Sequence, residues 1–313
     1  MKILQSIVLL VIGFVLLIKG ADFFVEGSSS VAKRLRIPSI IIGLTIVAMG
    51  TSLPECAVSV VASINGSNSL AVSNVVGSNI FNLMVVCGIC ALFSPLAVSK
   101  NTVKKEFPFS IVCAGLLLVL GLVAMTLGRM DGIVFLILFI AYILWMVFSA
   151  IQNRTSQSES GEQQMLSGWK CLLFIVGGMV AIKFGGDFVV EGAVAIARLI
   201  GLTETLIGLT IVALGTSLPE LVTSIVAARK NELDMAVGNV IGSNIFNILF
   251  VLGVASSISP IAFLWENVID IIVLMVVSIV VWIFAWTKGK INRAEGVAML
   301  VIYSAYMVYI CAR

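Results

Sequence analysis

The sequence predicts an all-α membrane protein of ten transmembrane helices in two inverted five-helix repeats, and three observations support this prediction. The chain has 313 residues, of which 60% are hydrophobic and 11% are charged, against roughly 25% charged residues in soluble domains. Apolar segments long enough to cross a bilayer recur along it. Two motifs also occur twice at one fixed separation.

The ten candidate spans lie at about 3–28, 38–64, 70–93, 107–127, 132–151, 169–196, 203–228, 235–257, 268–287 and 294–312. The first lacks a small-residue cleavage site, so we interpret it as a span and not as a signal peptide. The hydrophilic stretch 152–168 is rich in Ser, Gln and Glu. We predict that it is a cytoplasmic linker between a first repeat, 1–151, and a second, 169–313.

The halves repeat closely. Residues 43–55 read GLTIVAMGTSLPE and residues 208–220 read GLTIVALGTSLPE, which match at twelve of thirteen positions with an offset of 165. Residues 74–82 (NVVGSNIFN) match 239–247 (NVIGSNIFN) at the same offset. The constant offset indicates duplication. Because five spans per half is an odd number, the second half must enter the membrane in the opposite sense.

The basic residues favour one orientation. With both termini outside, the inner loops carry thirteen Lys and Arg residues and the outer side carries four, as expected when positive charge accumulates on the cytoplasmic side. We therefore predict a multi-pass protein of the cell (inner) membrane. Inverted repeats with a site at their interface are typical of secondary transporters.

Histidine is absent, which excludes imidazole metal ligands and histidine proton relays. Cys87 and Cys90 have the spacing of a redox motif but lie in a continuous apolar run, so we interpret them as small packing residues. We predict no enzymatic activity, no cofactor, no nucleic-acid partner and no obligate protein partner.

Glu55 and Glu220 stand within apolar segments that carry no Lys or Arg in their cores. An ionisable residue there costs about 2.5–3.5 kcal/mol on insertion scales. The structural alternative is a protonated glutamate that forms a hydrogen bond between two helices. The duplicated polar surroundings favour a cation site instead.

Each glutamate follows a proline that should break its helix. Pro54 cannot donate to the carbonyl of Gly50, so carbonyls should become free there, and Thr51, Ser52 and Glu55 should share one helix face. The second half repeats the pattern with Thr216, Ser217, Pro219 and Glu220.

The GSNIFN blocks add Ser78 and Asn82, and Ser243 and Asn247. Close packing of small residues between helices is the alternative interpretation. Taken together, the predicted donors are carboxylates, amides, hydroxyls and carbonyls. Such hard oxygen ligands suit calcium or sodium and not zinc or copper.

At GTSLPE and GSNIFN the sequence resembles the cation/calcium exchanger superfamily, specifically the prokaryotic sodium/calcium exchangers. The resemblance implies that calcium lies between Glu55 and Glu220, with the carbonyls of Thr51 and Thr216. It also implies exchange of three sodium ions for one calcium, with a sliding bundle made of the first and sixth spans. The implied sodium ligands are Ala48, Ser52, Ser78, Asn82, Ala213, Ser217, Ser243 and Asn247.

Asn247 departs from family members that carry aspartate there, which puts a proton-binding role at this position in doubt. A calcium/proton exchanger and a non-transporting ion sensor stay as alternatives. The inverted duplication argues against the sensor. The many neutral ligands favour sodium over protons, because a proton needs only a carboxylate.

A second acidic set on the first and sixth spans has i,i+4 spacing: Asp22, Glu26, Asp187 and Glu191, with Lys19 and Lys183 nearby. We favour ion pairing at the helix end over an entry funnel or a gate lock.

Overall fold

The computed structural model describes residues 3–65, 69–152, 166–202, 207, 211 and 213–312. Within them, eight unbroken helices are long and apolar enough to cross a membrane, and a bent pair of helices makes up to nine. Most of the predicted linker and the start of the predicted span 203–228 lie outside the described residues.

Most helices have bounds close to the predicted spans, but the first ends at Leu35 and not near residue 28, and the helix in the predicted span 203–228 is described as Leu218–Arg229. In chain order, the helices are α1 (Ile3–Leu35), α2 (Ser39–Thr51), α3 (Leu53–Ile64), α4 (Ala71–Phe93), α5 (Thr102–Ala124), α6 (Arg129–Gln152), α7 (Gly168–Leu199), α8 (Leu218–Arg229), α9 (Leu233–Ile258), α10 (Trp265–Lys288) and α11 (Arg293–Ala312).

Helix α5 begins five residues before the predicted span, because the chain stays helical through Lys104 and Lys105. The ammonium of Lys105 lies 5.7 Å from the ring centre of Trp145. A long basic side chain can thus keep its charge near an aromatic face at the end of a membrane helix.

Helices α4 and α9 form the centre of the molecule. In their most apolar windows, 83% and 78% of residues are buried, against 11–44% in the other six unbroken helices. The outer helices expose large apolar side chains such as Leu4, Val123 and Val301. This is the distribution expected of a helix bundle whose solvent is lipid.

Four two-residue strands qualify the all-α prediction. β1 (Leu96–Ala97) pairs with β4 (Lys290–Ile291), and β2 (Thr126–Leu127) pairs with β3 (Ile261–Ala262), both antiparallel. Each ladder joins the first half of the chain to the second. The ladders provide hydrogen-bond partners for backbone N–H and C=O groups that lie next to helix ends and have no partner within a helix.

Helices α1 and α7 pack against each other through glycines at two points along their length. A Cβ on Gly13 would lie 2.8 Å from the carbonyl oxygen of Gly185, and one on Gly178 would lie 2.7 Å from that of Gly20. Small residues let membrane helices approach closely. The α1–α7 contact therefore has no room for a methyl group at these positions.

We expect Gly178→Ala to destabilise the α1–α7 contact by about 1–3 kcal/mol, as overpacking does. Gly177→Ala is the matched control, because a Cβ on Gly177 would meet nothing within 4 Å. The measurement is the melting temperature of each purified variant in detergent. Equal melting temperatures for the two variants would contradict the tight crossing.

Candidate functional site

Both predicted helix breaks are present, at Ser52 in the first half and at Thr216 and Ser217 in the second. Ser52 separates α2 from α3, whose axes differ by 48°, and Ser217 directly precedes α8. Both serines have non-helical backbone angles, with φ −86° and ψ 9° at Ser52 and φ −93° and ψ 3° at Ser217. The following proline lies in the first turn of each new helix, where a missing N–H is tolerated.

The break corrects one expectation. Thr51, Ser52 and Glu55 do not share one continuous helix face, because the helix stops between them. The hydroxyl of Thr51 lies 3.1 Å from the amide oxygen of Asn239, whereas the hydroxyl of Ser52 donates to Glu220 at 2.7 Å.

Glu55 and Glu220 lie in the first turns of α3 and α8, and both side chains are fully buried. The N-terminal end of a helix carries partial positive charge, which stabilises an anion there. None of the ion pairs recorded among the described residues involves either carboxylate. The two helix N-termini thus supply partial positive charge that the apolar segments lack.

Serines cross between the halves to reach these carboxylates. Ser52 donates to Oε1 of Glu220, and the hydroxyl of Ser217 lies 3.3 Å from Oε1 of Glu55. Ser78 lies 3.5 Å from the same oxygen of Glu55 and 3.1 Å from Ser217. Five of the predicted site residues therefore form two buried hydrogen-bonded groups, Ser52 with Glu220 and Ser217 with Glu55 and Ser78.

Four carbonyl-type oxygens at the site are buried and make no hydrogen bond within the described part of the chain. They are Oε2 of Glu55, Oε2 of Glu220, Oδ1 of Asn82 and Oδ1 of Asn247. Buried polar atoms are rarely left without a partner. The set is symmetric, with one carboxylate oxygen and one amide oxygen from each half, and it consists of the donors that hard cations prefer.

The other predicted site residues surround the same place. The carbonyl of Ala48 accepts bonds from the Thr51 hydroxyl at 3.3 Å and from Ser243 of the other half at 3.4 Å. Thr216 is half-buried at the second break. Ala213 begins a short helical turn, Ala213–Gly215, and its side chain lies outside the described set.

The sequence interpretation missed an outer layer of amides. Asn239 donates to the Ser224 hydroxyl at 2.9 Å and to the Glu220 carbonyl at 3.4 Å. Asn74 makes the corresponding bonds to Ser59, at 3.1 Å, and to the Glu55 carbonyl, at 3.4 Å. Both asparagines begin the duplicated blocks, so their identical offset was the available signal.

A π-helical turn begins at each predicted amide ligand. These turns are Asn82–Val86 and Asn247–Val251, and they were not predicted from the sequence. Such turns inside α-helices are frequent at functional sites, because they displace side chains from the regular helical pattern.

Ion pairs are recorded for three of the four residues of the second acidic set, as favoured, but mostly with a different lysine. Lys183 pairs with Asp187 one turn away. Asp22 and Glu26 instead contact Lys230 after α8, at 3.7 Å and 3.4 Å, and Ser29 bonds to Glu232. Lys230 thus ties α1 to the turn between α8 and α9.

The predicted packing role of the two spaced cysteines agrees with their surroundings. Cys87 and Cys90 are both buried free thiols in α4.

This chain is similar to known proteins along nearly its whole length. Residues 5–148 and 170–312 match the family described as sodium/calcium exchanger protein. The putative antiporter CaxA of Alkalimonas amylolytica is 40% identical, over 97% of this chain and 98% of that protein. The sodium/calcium exchanger MaX1 of Methanosarcina acetivorans is 33% identical, over 97% of both.

A solved structure is similar as well. The sodium-calcium exchanger NCX_Mj, soaked with zero Na+ and Ca2+, superposes with a TM-score of 0.87 at 32% identity, over 99% of this chain and 100% of that one. Sequence and fold therefore agree, and the chain belongs to the sodium/calcium exchanger protein family.

Proposed function

We propose that this protein is a secondary antiporter that exchanges one Ca2+ for three Na+ by alternating access. The observation that carries the proposal is the symmetric set of four buried oxygens of Glu55, Glu220, Asn82 and Asn247, which have no hydrogen-bond partner in the described ranges of the chain. Two carboxylates balance one divalent cation, and neutral oxygens around them suit monovalent cations that have lost their water.

The proposed ligands are the residues predicted from the sequence. Calcium would bind Glu55 and Glu220 with the carbonyls of Thr51 and Thr216. Sodium would use the remaining oxygen donors: Ala48, Ser52, Ser78, Asn82, Ala213, Ser217, Ser243 and Asn247. Their convergence at the junction of the two halves supports one shared site at which the two kinds of ion compete.

We further propose ten spans in two inverted repeats, 1–151 and 169–313, joined by a cytoplasmic linker at 152–168. Support comes from contacts that recur with the halves exchanged. Ser52 contacts Glu220 as Ser217 contacts Glu55, and the β1–β4 pairing recurs as the β3–β2 pairing at nearly the same offset. A two-fold relation between antiparallel halves would produce this exchange.

Helices α1 and α7 would be the moving pair. They pack on each other and are mostly exposed, with only 22% and 33% of their apolar windows buried. The Lys230 ion pairs hold α1 to the core, but partly exposed ion pairs are worth only about 0–1 kcal/mol each. Such a tie can therefore break and form again during a transport cycle.

A calcium/proton exchanger is the alternative, because the two glutamates could take up protons. The amide oxygens of Asn82 and Asn247 favour sodium, since an amide neither takes up nor releases a proton in this pH range.

Transport should be driven by sodium and should be electrogenic. In proteoliposomes at equal pH on both sides, an outward sodium gradient should drive uptake of radioactive calcium, and a valinomycin-clamped potential should change its rate. Three Na+ against one Ca2+ moves one net charge, on which the potential acts at about 2.3 kcal/mol per 100 mV. Calcium flux that follows only a pH gradient would establish the alternative.

Glu55→Gln and Glu220→Gln should each abolish calcium exchange, because one remaining carboxylate cannot balance a divalent cation. Glu266→Gln, at the first turn of α10, is a matched control that should transport like the wild type. The measurement is calcium uptake into proteoliposomes with equal amounts of each folded variant. Sodium-driven uptake by either site variant at the wild-type rate would refute this assignment.

Both termini should face outward and the linker should face the cytoplasm. In a variant with Ser158 replaced by cysteine and Cys311→Ser, we expect a membrane-impermeant maleimide to label position 158 in inside-out vesicles alone. In the wild type, the exposed thiol of Cys311 should instead be labelled in intact cells, because we place the C-terminus outside. Labelling of position 158 in intact cells would invert the topology.

A further inference from the structure

Four buried asparagines connect the central helices α4 and α9. Asn79 donates its side-chain amide to the backbone carbonyl of Asn244 at 3.1 Å, and Asn244 donates to the backbone carbonyl of Asn79 at 3.2 Å. The two bonds are reciprocal across the junction of the halves. Asn82 and Asn247 lie one turn further along the same helices, and all four side chains are buried.

The backbone carbonyls fix which way the first two amides point. An asparagine amide has a donor end and an acceptor end that differ little in shape, so its orientation follows from its partners. A carbonyl can only accept, so the NH2 groups of Asn79 and Asn244 must face it. Their Oδ1 atoms must then point the other way, as acceptors.

These two acceptors in turn orient the neighbouring amides. Asn247 donates its NH2 to Oδ1 of Asn79 at 3.1 Å, and Asn82 donates its NH2 to Oδ1 of Asn244 at 3.4 Å. Each donor end is therefore occupied by a residue of the opposite half. The carbonyl ends of Asn82 and Asn247 are left over, and these are the buried oxygens without a partner among the described residues.

We propose that Asn79 and Asn244 are positioning residues that set sodium coupling, because they hold the carbonyl ends of Asn247 and Asn82 toward the ions. The inference rests on the proposed function. We call the hydrogen bonds of Asn82 and Asn247 to Asn244 and Asn79 the brace. Without the brace, the side-chain amide of Asn82 or Asn247 could rotate and present its N–H groups to a cation, which would repel the cation. The brace would matter less for calcium, whose charge is balanced mainly by two carboxylates.

The test uses the full chain in proteoliposomes, with Asn79→Ala and Asn244→Ala. We expect the half-saturating sodium concentration to rise about tenfold or more in each, since each loses a buried hydrogen bond that orients a ligand. The half-saturating calcium concentration should change less than about twofold. A purely structural defect would instead lower the amount of folded protein or shift both ions together.

The matched control is Asn267→Ala. Asn267 is also buried and also bridges two helices, with a 3.1 Å bond from α10 to Ser73 of α4, but it belongs to neither amide pair. Its loss should leave the sodium dependence unchanged.

Pairing specificity gives a second measurement. In an Asn82→Ala background, Asn244→Ala should not raise the half-saturating sodium concentration further, because Asn244 acts through Asn82. In an Asn247→Ala background, Asn244→Ala should still raise it. Residues in one hydrogen-bonded pair are non-additive in this way. Full additivity in both backgrounds would overturn the proposal.

The remaining outcomes separate the two proposals. A wild type without sodium-driven calcium flux would defeat the proposed function itself. A sodium-driven wild type with unchanged sodium dependence in Asn79→Ala and Asn244→Ala would defeat only the positioning role.

If the alanine variants do not fold, Asn79→Ser and Asn244→Ser replace them, because serine is too short to reach both partners. Failure of all four variants to fold beside a folded Asn267→Ala would make the brace structural only and overturn the proposal.

Discussion

Two carboxylates buried at membrane depth without a basic partner among the described residues are the constraint on which the rest of the site depends. Glu55 and Glu220 are each placed in the first turn of a helix, where the exposed ends of peptide dipoles supply positive potential. Each receives a serine from the other half. One oxygen of each carboxylate nevertheless has no hydrogen-bond partner among the described residues, which leaves it free for the cation that we propose as its ligand.

The halves complete this site for each other. Ser217 reaches Glu55, Ser52 reaches Glu220, and the amides of α4 and α9 bond across the junction. Buried networks of this kind are costly to leave half satisfied. We therefore expect α4 and α9 to stay together throughout the transport cycle that we propose.

The outer pair α1 and α7 has the opposite character. Its helices touch each other through glycines and otherwise face mostly outward. Beyond this contact, α1 is also held by the partly exposed pairs of Lys230 with Asp22 and Glu26 and by the bond from Ser29 to Glu232. The equivalent of Lys230 in the first half is Asn65, which carries no charge, so this tie has no charged counterpart on α7. The contacts that hold α1 and α7 are thus unequal although the two halves repeat in sequence.

The sequence by itself determined the apolar membrane helices that the structure describes, the repeated motifs, both helix breaks and the identity of the charged residues. Composition and proline act locally, and the membrane allows only hydrogen-bonded helices across it. Only the tertiary structure decided that Ser52 bonds to the glutamate of the opposite half, that Asn247 bonds to Asn79, and that Asn82 bonds to Asn244. These bonds join residues more than 160 positions apart. No local pattern encodes such partners, because they meet only when the two halves pack together.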